Sequence, residues 1–401
     1  MDSAAGTSTV DRPDTEVRPF RVEIPQSDVD DLRDRLARTR WPGEVPGSGW
    51  ARGVPVDYLR KLADYWGTDY DWREQEARLN EYAQFTTTID GQHIHFFHVR
   101  SPEPDALPLL ITHGYPSSNV EFLEILGPLT DPGRHGGHPG DAFHVVAPSL
   151  PGFGFSTPLS SDGWEVGRTA RAWAELMRRL GYPRYVAQGG DIGGGVTGDL
   201  GKVDPDGALA AHVNTDVTAI SLIGGMLPEQ IDGLSADEAA HLAKLRAYEE
   251  DGRGYLQIQS TRPQTLAYGL TDSPAGQLAW NVEKFKEWAD LGSGDGLPNG
   301  AVDLDHLLTG ISVYWFTASG QSAAQFIYAA SHAERDWTPA PTPTGWAAFG
   351  STDGLLRRVL DPAGRIEHWT DFDRGGHFPA MDAPDLLVHD IQEYFRQFRQ
   401  R

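Results

Sequence analysis

The chain has no cysteine among its 401 residues, which removes disulfides, thiolate metal ligands and a thiol nucleophile together. Lysine is scarce as well, five against 29 arginines, a bias that points to a GC-rich genome rather than to a charge function. Basic side chains number 34 against 57 acidic ones, and no basic stripe offsets the net charge of −23, so nucleic acid and anionic membranes are disfavoured as partners. No run of about 18 apolar residues occurs, and the first residues lack the basic start and apolar block of a secretion signal. A G-x-S-x-G elbow and a Walker-type phosphate loop are also missing, which argues against a serine esterase and a P-loop nucleotide enzyme. What remains is expected to be a soluble, cytoplasmic, enzyme-sized chain. Its 39% hydrophobic residues can bury one large core or two modest ones.

Hydrophobic spacing divides it. Residues 1–17 are small, polar and acidic and are expected to form a disordered leader. Residues 18–85 read as a helical meander: Val29, Leu32 and Leu36, then Tyr58, Leu62, Tyr65 and Trp66, recur at helical steps. Over 86–216, apolar strand-like runs at Leu107 to Thr112, Phe143 to Ala147, Tyr185 to Gln188 and Ala208 to Val213 alternate with helical patterns, the arrangement of a parallel sheet with crossover helices. One of those helices runs from Val166 to Leu180 and is closed by Gly181, and Ser118 with Glu121 fits a capping box opening another. Residues 217–338 lapse into helices and Gly/Pro-rich turns, as in a lid. Strand candidates return at Trp346 to Phe349 and Ile366 to Phe372 within 339–401. The fold class is therefore α/β, and no internal repeat is present.

Three loops carry chemistry. Gln188-Gly189-Gly190-Asp191-Ile192-Gly193 has the shape of a nucleophile elbow with Asp191 in place of serine; small residues at Gly189 and Gly193 let the chain turn sharply enough to lift one side chain above the sheet. The plainer alternative is a glycine-rich turn with Asp191 as a helix cap. His113-Gly114-Tyr115-Pro116 follows the Leu107 strand, where an oxyanion-hole N–H, that of Tyr115, would lie beside that of Ile192. Arg374-Gly375-Gly376-His377-Phe378 places a histidine last in the order nucleophile, acid, base. Asp353, four residues beyond Phe349, is the candidate acid, with Asp361, Glu367, Asp371 and Asp373 nearby. A carboxylate nucleophile suits displacement at saturated carbon, giving an alkyl ester that an activated water then hydrolyses. The leaving group is then a halide or a strained ether oxygen, and the latter needs a proton donor.

Those loops, with Pro19 to Trp41, Tyr65-Trp66, Tyr70 to Arg73, Pro151 to Ser156, Gly254-Tyr255, Leu270 to Gly276 and Tyr314-Trp315 in the same order, resemble microsomal-type epoxide hydrolases from about residue 19 onward. The resemblance implies an α/β-hydrolase core with a helical cap and an N-terminal helical meander. It implies a cofactor-independent opening of a lipophilic epoxide to a vicinal diol, with Tyr255 and Tyr328 as the ring-opening tyrosines and His113, Pro116 and Phe153 against the substrate. It further implies detoxification, hormone turnover or antibiotic biosynthesis, enediynes included, with an epoxide as the small-molecule partner and a homodimer as the assembly to consider. The chain departs from the family at Tyr115 and Ile192, each in place of tryptophan, by one extra residue between Tyr314 and Tyr328, and in the loop Gly350 to Asp353.

Two rivals remain. A haloalkane dehalogenase uses the same Asp and His but needs an N–H donor for halide that the Ile192 side chain lacks; a non-catalytic binding protein on this fold would have no need of His377. His93, His95 and His98 suggest zinc only superficially, because on a strand the third points away from the first two. The G-x-G-x-x-G at Gly193 to Gly198 runs inside the elbow helix and reads as close packing rather than a dinucleotide site.

Overall fold

Alternation of apolar runs and helices resolves, in the computed structural model, into one sheet of nine strands: β1 (Arg18–Phe20), β2 (Gln84–Ile89), β3 (Gln92–Val99), β4 (Leu107–Thr112), β5 (Phe143–Pro148), β6 (Tyr185–Gly190), β7 (Ala208–Thr215), β8 (Thr344–Ala348) and β9 (His368–Asp371). Residues 15–216, 231–292, 296–334, 336 and 338–399 are described; most of the expected leader and the start of the expected lid, 217–230, lie outside them. The strands lie in the order β1-β2-β3-β5-β4-β6-β7-β8-β9. β1, β2, β3 and β5 pair antiparallel, and from β5 onward every pairing is parallel. The central strands are covered on both faces, which is why β4 and β5 read as unbroken apolar runs: Leu109, Leu110 and Ile111, with Val145, Val146 and Ala147, are fully buried.

The helix Val166–Arg179 turns Ala170, Trp173 and Met177 inward, is capped by the Glu165 carboxylate on the N–H groups of Gly167 and Arg168, and stops where Gly181 takes φ 84°. The expected capping box at Ser118 is only half formed. The Ser118 hydroxyl accepts from the Val120 N–H and starts a short 3-10 turn, Asn119–Phe122, while Glu121 turns its carboxyl inward to Ser117.

Between β7 and β8 lie the helices Ala236–Asp251, Gly254–Gln259, Pro263–Asp272, Pro274–Trp288, Leu304–Phe316 and Ser319–His332, which form a cap over the carboxyl ends of the strands. The N-terminal helices Gln26–Ala37, Val56–Thr68 and Trp72–Leu79 fasten onto this cap. Trp66, 1% exposed, donates its indole N–H to Ser312 at 2.9 Å, Tyr65 donates to Asp305 at 2.9 Å, and the hydroxyls of Tyr70 and Thr309 lie 3.0 Å apart. At the far edge, Asp390 of the helix Pro384–Phe395 bonds His212 of β7 at 2.7 Å, and His368 at 3.1 Å and Thr370 at 2.7 Å on β9, closing the sheet with buried polar contacts. On β3, His95 is held between Ser149 and Gln84 and His98 against Tyr182, so each imidazole has a structural partner. Among the described residues no helix is long and apolar enough to cross a membrane.

Trp66 joins two segments more than 240 residues apart. Trp66→Ala is expected to cost about 3–5 kcal/mol, read as a lowered denaturant midpoint; Trp66→Phe, which keeps most of the packing, should cost less.

Candidate active site

β6 ends at Gly190 and the next helix, Ile192–Val203, starts two residues later, so Asp191 has to carry the turn. It does so at φ 53° and ψ −126°, a conformation that costs a non-glycine residue roughly 1–3 kcal/mol and that the surrounding packing must enforce. Two glycines make room. A Cβ on Gly193 would collide with the Thr112 carbonyl at the end of β4, and a Cβ on Gly114 would collide with the Asp191 side chain itself. The elbow reading of the sequence corresponds to this geometry.

The Tyr115 N–H donates to Asp191 Oδ1 at 2.9 Å, and the Ile192 N–H also donates to the carboxylate. His377 Nε2 stands 3.5 Å from Oδ2. Burial alone would raise the pKa of Asp191, but the imidazole and the two N–H groups outweigh it and hold the carboxyl below the ordinary aspartate range. The group is therefore an anion at neutral pH, with Oδ1 on the Tyr115 N–H, a second N–H, that of Ile192, on the carboxylate, and Oδ2 facing the histidine.

His377 is fixed by its backbone N–H on the Trp288 carbonyl at 2.9 Å and by its ring against the Trp288 indole, 4.9 Å between centroids. Its Nδ1 lies 3.1 Å from Asp216 Oδ1. Burial disfavours the charged ring, yet Asp216 and Asp191 prevail and raise its pKa, so the imidazolium bridges two carboxylates.

Asp216, one residue beyond β7, thus occupies the position for which the sequence suggested Asp353. Asp353 follows β8, where its carboxylate accepts the Leu355 N–H at 2.9 Å and bonds His241 Nδ1 at 2.7 Å, pinning a cap helix to the sheet. The order nucleophile, acid, base holds for either aspartate. Only the side-chain directions distinguish them, and the signal available in sequence was an acid directly abutting the β7 run.

Tyr255 is nearly buried and stacks in parallel on Tyr115, centroids 5.9 Å apart at 4°. Burial, with the negative charge of Asp191 among the further causes, raises its pKa well above that of a free phenol and keeps it protonated, and among the described residues its hydroxyl has no hydrogen-bond partner. Tyr328 is placed elsewhere. It is only partly buried and stacks on His332 one turn along the same helix, centroids 4.2 Å apart. Besides Tyr115, the other phenol that feels Asp191 is Tyr314, used in the sequence only as a landmark; its hydroxyl donates to the Ser117 carbonyl at 2.8 Å. Tyr314 and Tyr328 lie on different helices, Leu304–Phe316 and Ser319–His332, separated at Ala318, so their spacing does not put them on one face.

Two expected substrate contacts are instead supports. His113, fully buried, has Nδ1 on the Gly114 carbonyl at 2.9 Å, while Nε2 accepts the Leu150 N–H at 3.0 Å; burial lowers its pKa to about 4, so it is a neutral brace for the Tyr115 loop. Phe153 is sealed against His113, Tyr314 and Phe326. Pro116 does border a cavity of about 10 Å³, together with Ser117, Glu121, Asn281, Phe285 and Met381. Glu121, which sequence reasoning treated only as a cap, faces Asp191 and His377 from there, and burial pushes its carboxyl up to about 8.

An elbow aspartate under two N–H donors, paired with an Asp–His couple at the carboxyl edge of a mostly parallel sheet, defines an enzyme of the α/β-hydrolase class. Comparison with known proteins narrows it. The family description "epoxide hydrolase N terminus" matches residues 17–122 and "alpha/beta hydrolase fold" matches 108–200. A Stigmatella aurantiaca relative that carries an epoxide hydrolase name is 42% identical over 387 residues, 96% of this chain and 86% of its own. Epoxide hydrolase 1 of Sus scrofa is 32% identical over 416 residues, 97% of this chain and 90% of its own. The solved epoxide hydrolase of Aspergillus niger superposes with a TM-score of 0.79 at 32% identity, covering 96% of this chain and 97% of its own. The chain belongs to the epoxide hydrolase family, and its activity is that of an epoxide hydrolase.

Asp216→Asn is expected to lower kcat by roughly 10²–10⁴, as loss of a histidine-orienting acid does, whereas Asp353→Asn should stay within about threefold of the parent; steady-state kinetics of the two variants checks this. Glu121 loses its proton as pH rises past about 8, adding a negative charge beside Asp191 and strengthening the grip on the imidazolium. Activity should therefore fall above that pH, and Glu121→Gln should remove the alkaline limb. Unfolded, this carboxyl ionises near 4.5, so its burial weakens the fold progressively between there and about 8. The melting temperature of Glu121→Gln should accordingly exceed the parent's by more at pH 8 than at pH 5.

Proposed function

We propose that the enzyme opens a lipophilic epoxide to a vicinal diol through an alkyl ester on Asp191. The observation that carries this reading is the division of labour between the two carboxylate oxygens: Oδ1 accepts the Tyr115 N–H at 2.9 Å, leaving Oδ2 toward His377 as the attacking atom. Oδ2 bonds to an epoxide carbon, the ring C–O bond breaks, and the electron pair goes to the ring oxygen, which takes the Tyr255 proton. Tyr314 is the second phenol of the site in this reading.

Esterification removes the Asp191 charge. With it goes part of what raises the His377 pKa; the imidazolium gives its proton to the Tyr255 phenolate, restoring the phenol, and the ring becomes a base when a base is needed. His377, oriented by Asp216, takes a proton from water; the hydroxide adds to the ester carbonyl, whose oxygen, former Oδ1, becomes the oxyanion under the Tyr115 and Ile192 N–H groups. Collapse releases the diol with the proton held by His377, and the last water proton, left on the Asp191 carboxyl, passes to His377 and restores the imidazolium between its two carboxylates. The cavity of about 10 Å³ beside Pro116 and Glu121 has room for about one water. The net charge of −23 supports a neutral over an anionic substrate, and a cytoplasmic setting is the one we retain. The arginine bias fits a GC-rich source, for which antibiotic biosynthesis and detoxification are both settings we retain, with a homodimer as the assembly.

A single turnover of styrene oxide in heavy-oxygen water tests the chemistry. The first diol should carry an unlabelled new oxygen taken from Asp191, with label appearing in the enzyme; immediate label in the diol would mean direct attack by water. Asp191→Asn should abolish ester formation.

A further inference from the structure

On the helix Pro274–Trp288, the residues Trp280, Asn281, Lys284, Phe285 and Trp288 recur at helical steps and face the active site. Four are aromatic or amide side chains that fill space or make hydrogen bonds. The fifth is a lysine only 2% exposed, an uncommon place for an ammonium group. Its Nζ lies 4.5 Å from the centroid of the Tyr255 ring and 5.6 Å from that of Trp288. Glu283 at 2.9 Å and Glu287 at 2.7 Å compensate the charge. The salt links alone do not call for burial, since both glutamates are about a third exposed and could meet a lysine at the surface. The aromatic floor does: the Tyr255 ring is held between Lys284, the parallel ring of Tyr115 and the edge-on indole of Trp288.

We infer that Lys284 is a positioning residue for ring opening, a fixed cation whose field on the Tyr255 ring stabilises the phenolate formed when that tyrosine hands its proton to the epoxide oxygen. A cation against an aromatic ring is attracted by the ring electrons, and more strongly once the ring bears the negative charge of a phenolate. The field thus acts on the transition state of alkylation, where the phenolic O–H bond is breaking, more than on the neutral ground state. It has no comparable role in ester hydrolysis, whose proton transfers run through His377. The surroundings oppose the phenolate: Asp191, Tyr115, Tyr248 and Glu287 all disfavour it electrostatically, and burial disfavours it further. Lys284 is the cation set against that ring among the described residues. This inference rests on the Asp191 ester and on Tyr255 as its proton donor.

Rapid-mixing single turnovers with styrene oxide, which resolve ester formation from ester breakdown, test it. Lys284→Met should slow alkylation by about tenfold or more while leaving the hydrolysis rate within about twofold, and Lys284→Arg, which keeps the cation, should recover most of the loss. In a Tyr255→Phe background Lys284→Met should have little further effect on alkylation, because the group it acts on is gone. Glu287→Gln gives the opposite sign: it removes a charge that opposes the phenolate, leaves Glu283 to hold the lysine, and should speed alkylation. It remains decisive if Lys284→Met does not fold. Equal slowing of both steps, full additivity with Tyr255→Phe, or unchanged alkylation in Glu287→Gln would overturn the inference. A parent enzyme that forms no ester at all would instead overturn the reading of Asp191, which the same parent traces reveal.

Discussion

One carboxylate, bent into an unfavourable backbone conformation and gripped on both oxygens, organises this molecule. Asp191 is where β6 stops, where a helix starts and where the loop after β4 comes closest, and each approach is possible only because glycine stands at the contact. The same approach brings the Tyr115 N–H to one oxygen. The far end of the chain then returns to place His377 at the other. A side chain with a freely chosen rotamer on an ordinary turn could not receive both partners at once.

Around that centre, charge is arranged to change hands in order. Two carboxylates hold one imidazolium, and an inward glutamic acid nearby stays neutral because burial outweighs its local hydrogen bond. In the proposed mechanism, covalent bonding to Asp191 cancels one of the negative charges, and the imidazole is thereby released for its role as base. The phenol is handled in a contrasting way. Its proton is kept by burial and by surrounding negative charge, while a lysine salted between two glutamates lies against its ring. Groups with opposite electrostatic needs therefore share a small volume by having separate partners.

The periphery serves precision at the centre. The N-terminal helices bond to the cap through tryptophan and tyrosine side chains whose polar ends all find partners on the helix Leu304–Phe316. That helix carries Tyr314, whose hydroxyl rests on the loop that bears the oxyanion N–H. On the opposite edge, Asp390 ties the C-terminal helix to β7 and β9 through two histidines and a threonine. β7 leads directly into Asp216. The supports at both ends are thus connected, by packing and hydrogen bonds, to residues that orient the reacting groups.

Much of this was legible in the sequence, because it depends on local spacing. Alternating apolar runs specify buried parallel strands, a stretch of glycine around one acid specifies a sharp elbow, and a capped amphipathic pattern with a closing glycine specifies the helix Val166–Arg179. Asp191, His377, Tyr115, Ile192 and Tyr255 all follow from such signals or from the family resemblance that those signals support. Direction in space does not follow. Asp216 and Asp353 both lie just past parallel strands, and which one meets the imidazole depends on where two loops point after the sheet has twisted and the cap has docked. Tyr328 stacks on His332 along its own helix, and its spacing from Tyr314, on a separate helix, does not reveal that direction. His113 and Phe153, which sequence placed against the substrate, are used up by neighbours contributed from other strands and helices. Glu121 and Lys284 look like a cap residue and a surface cation until the folded chain removes them from water. Periodicity fixes which faces are buried, but partner choice among buried polar groups is a long-range outcome of how those faces come together.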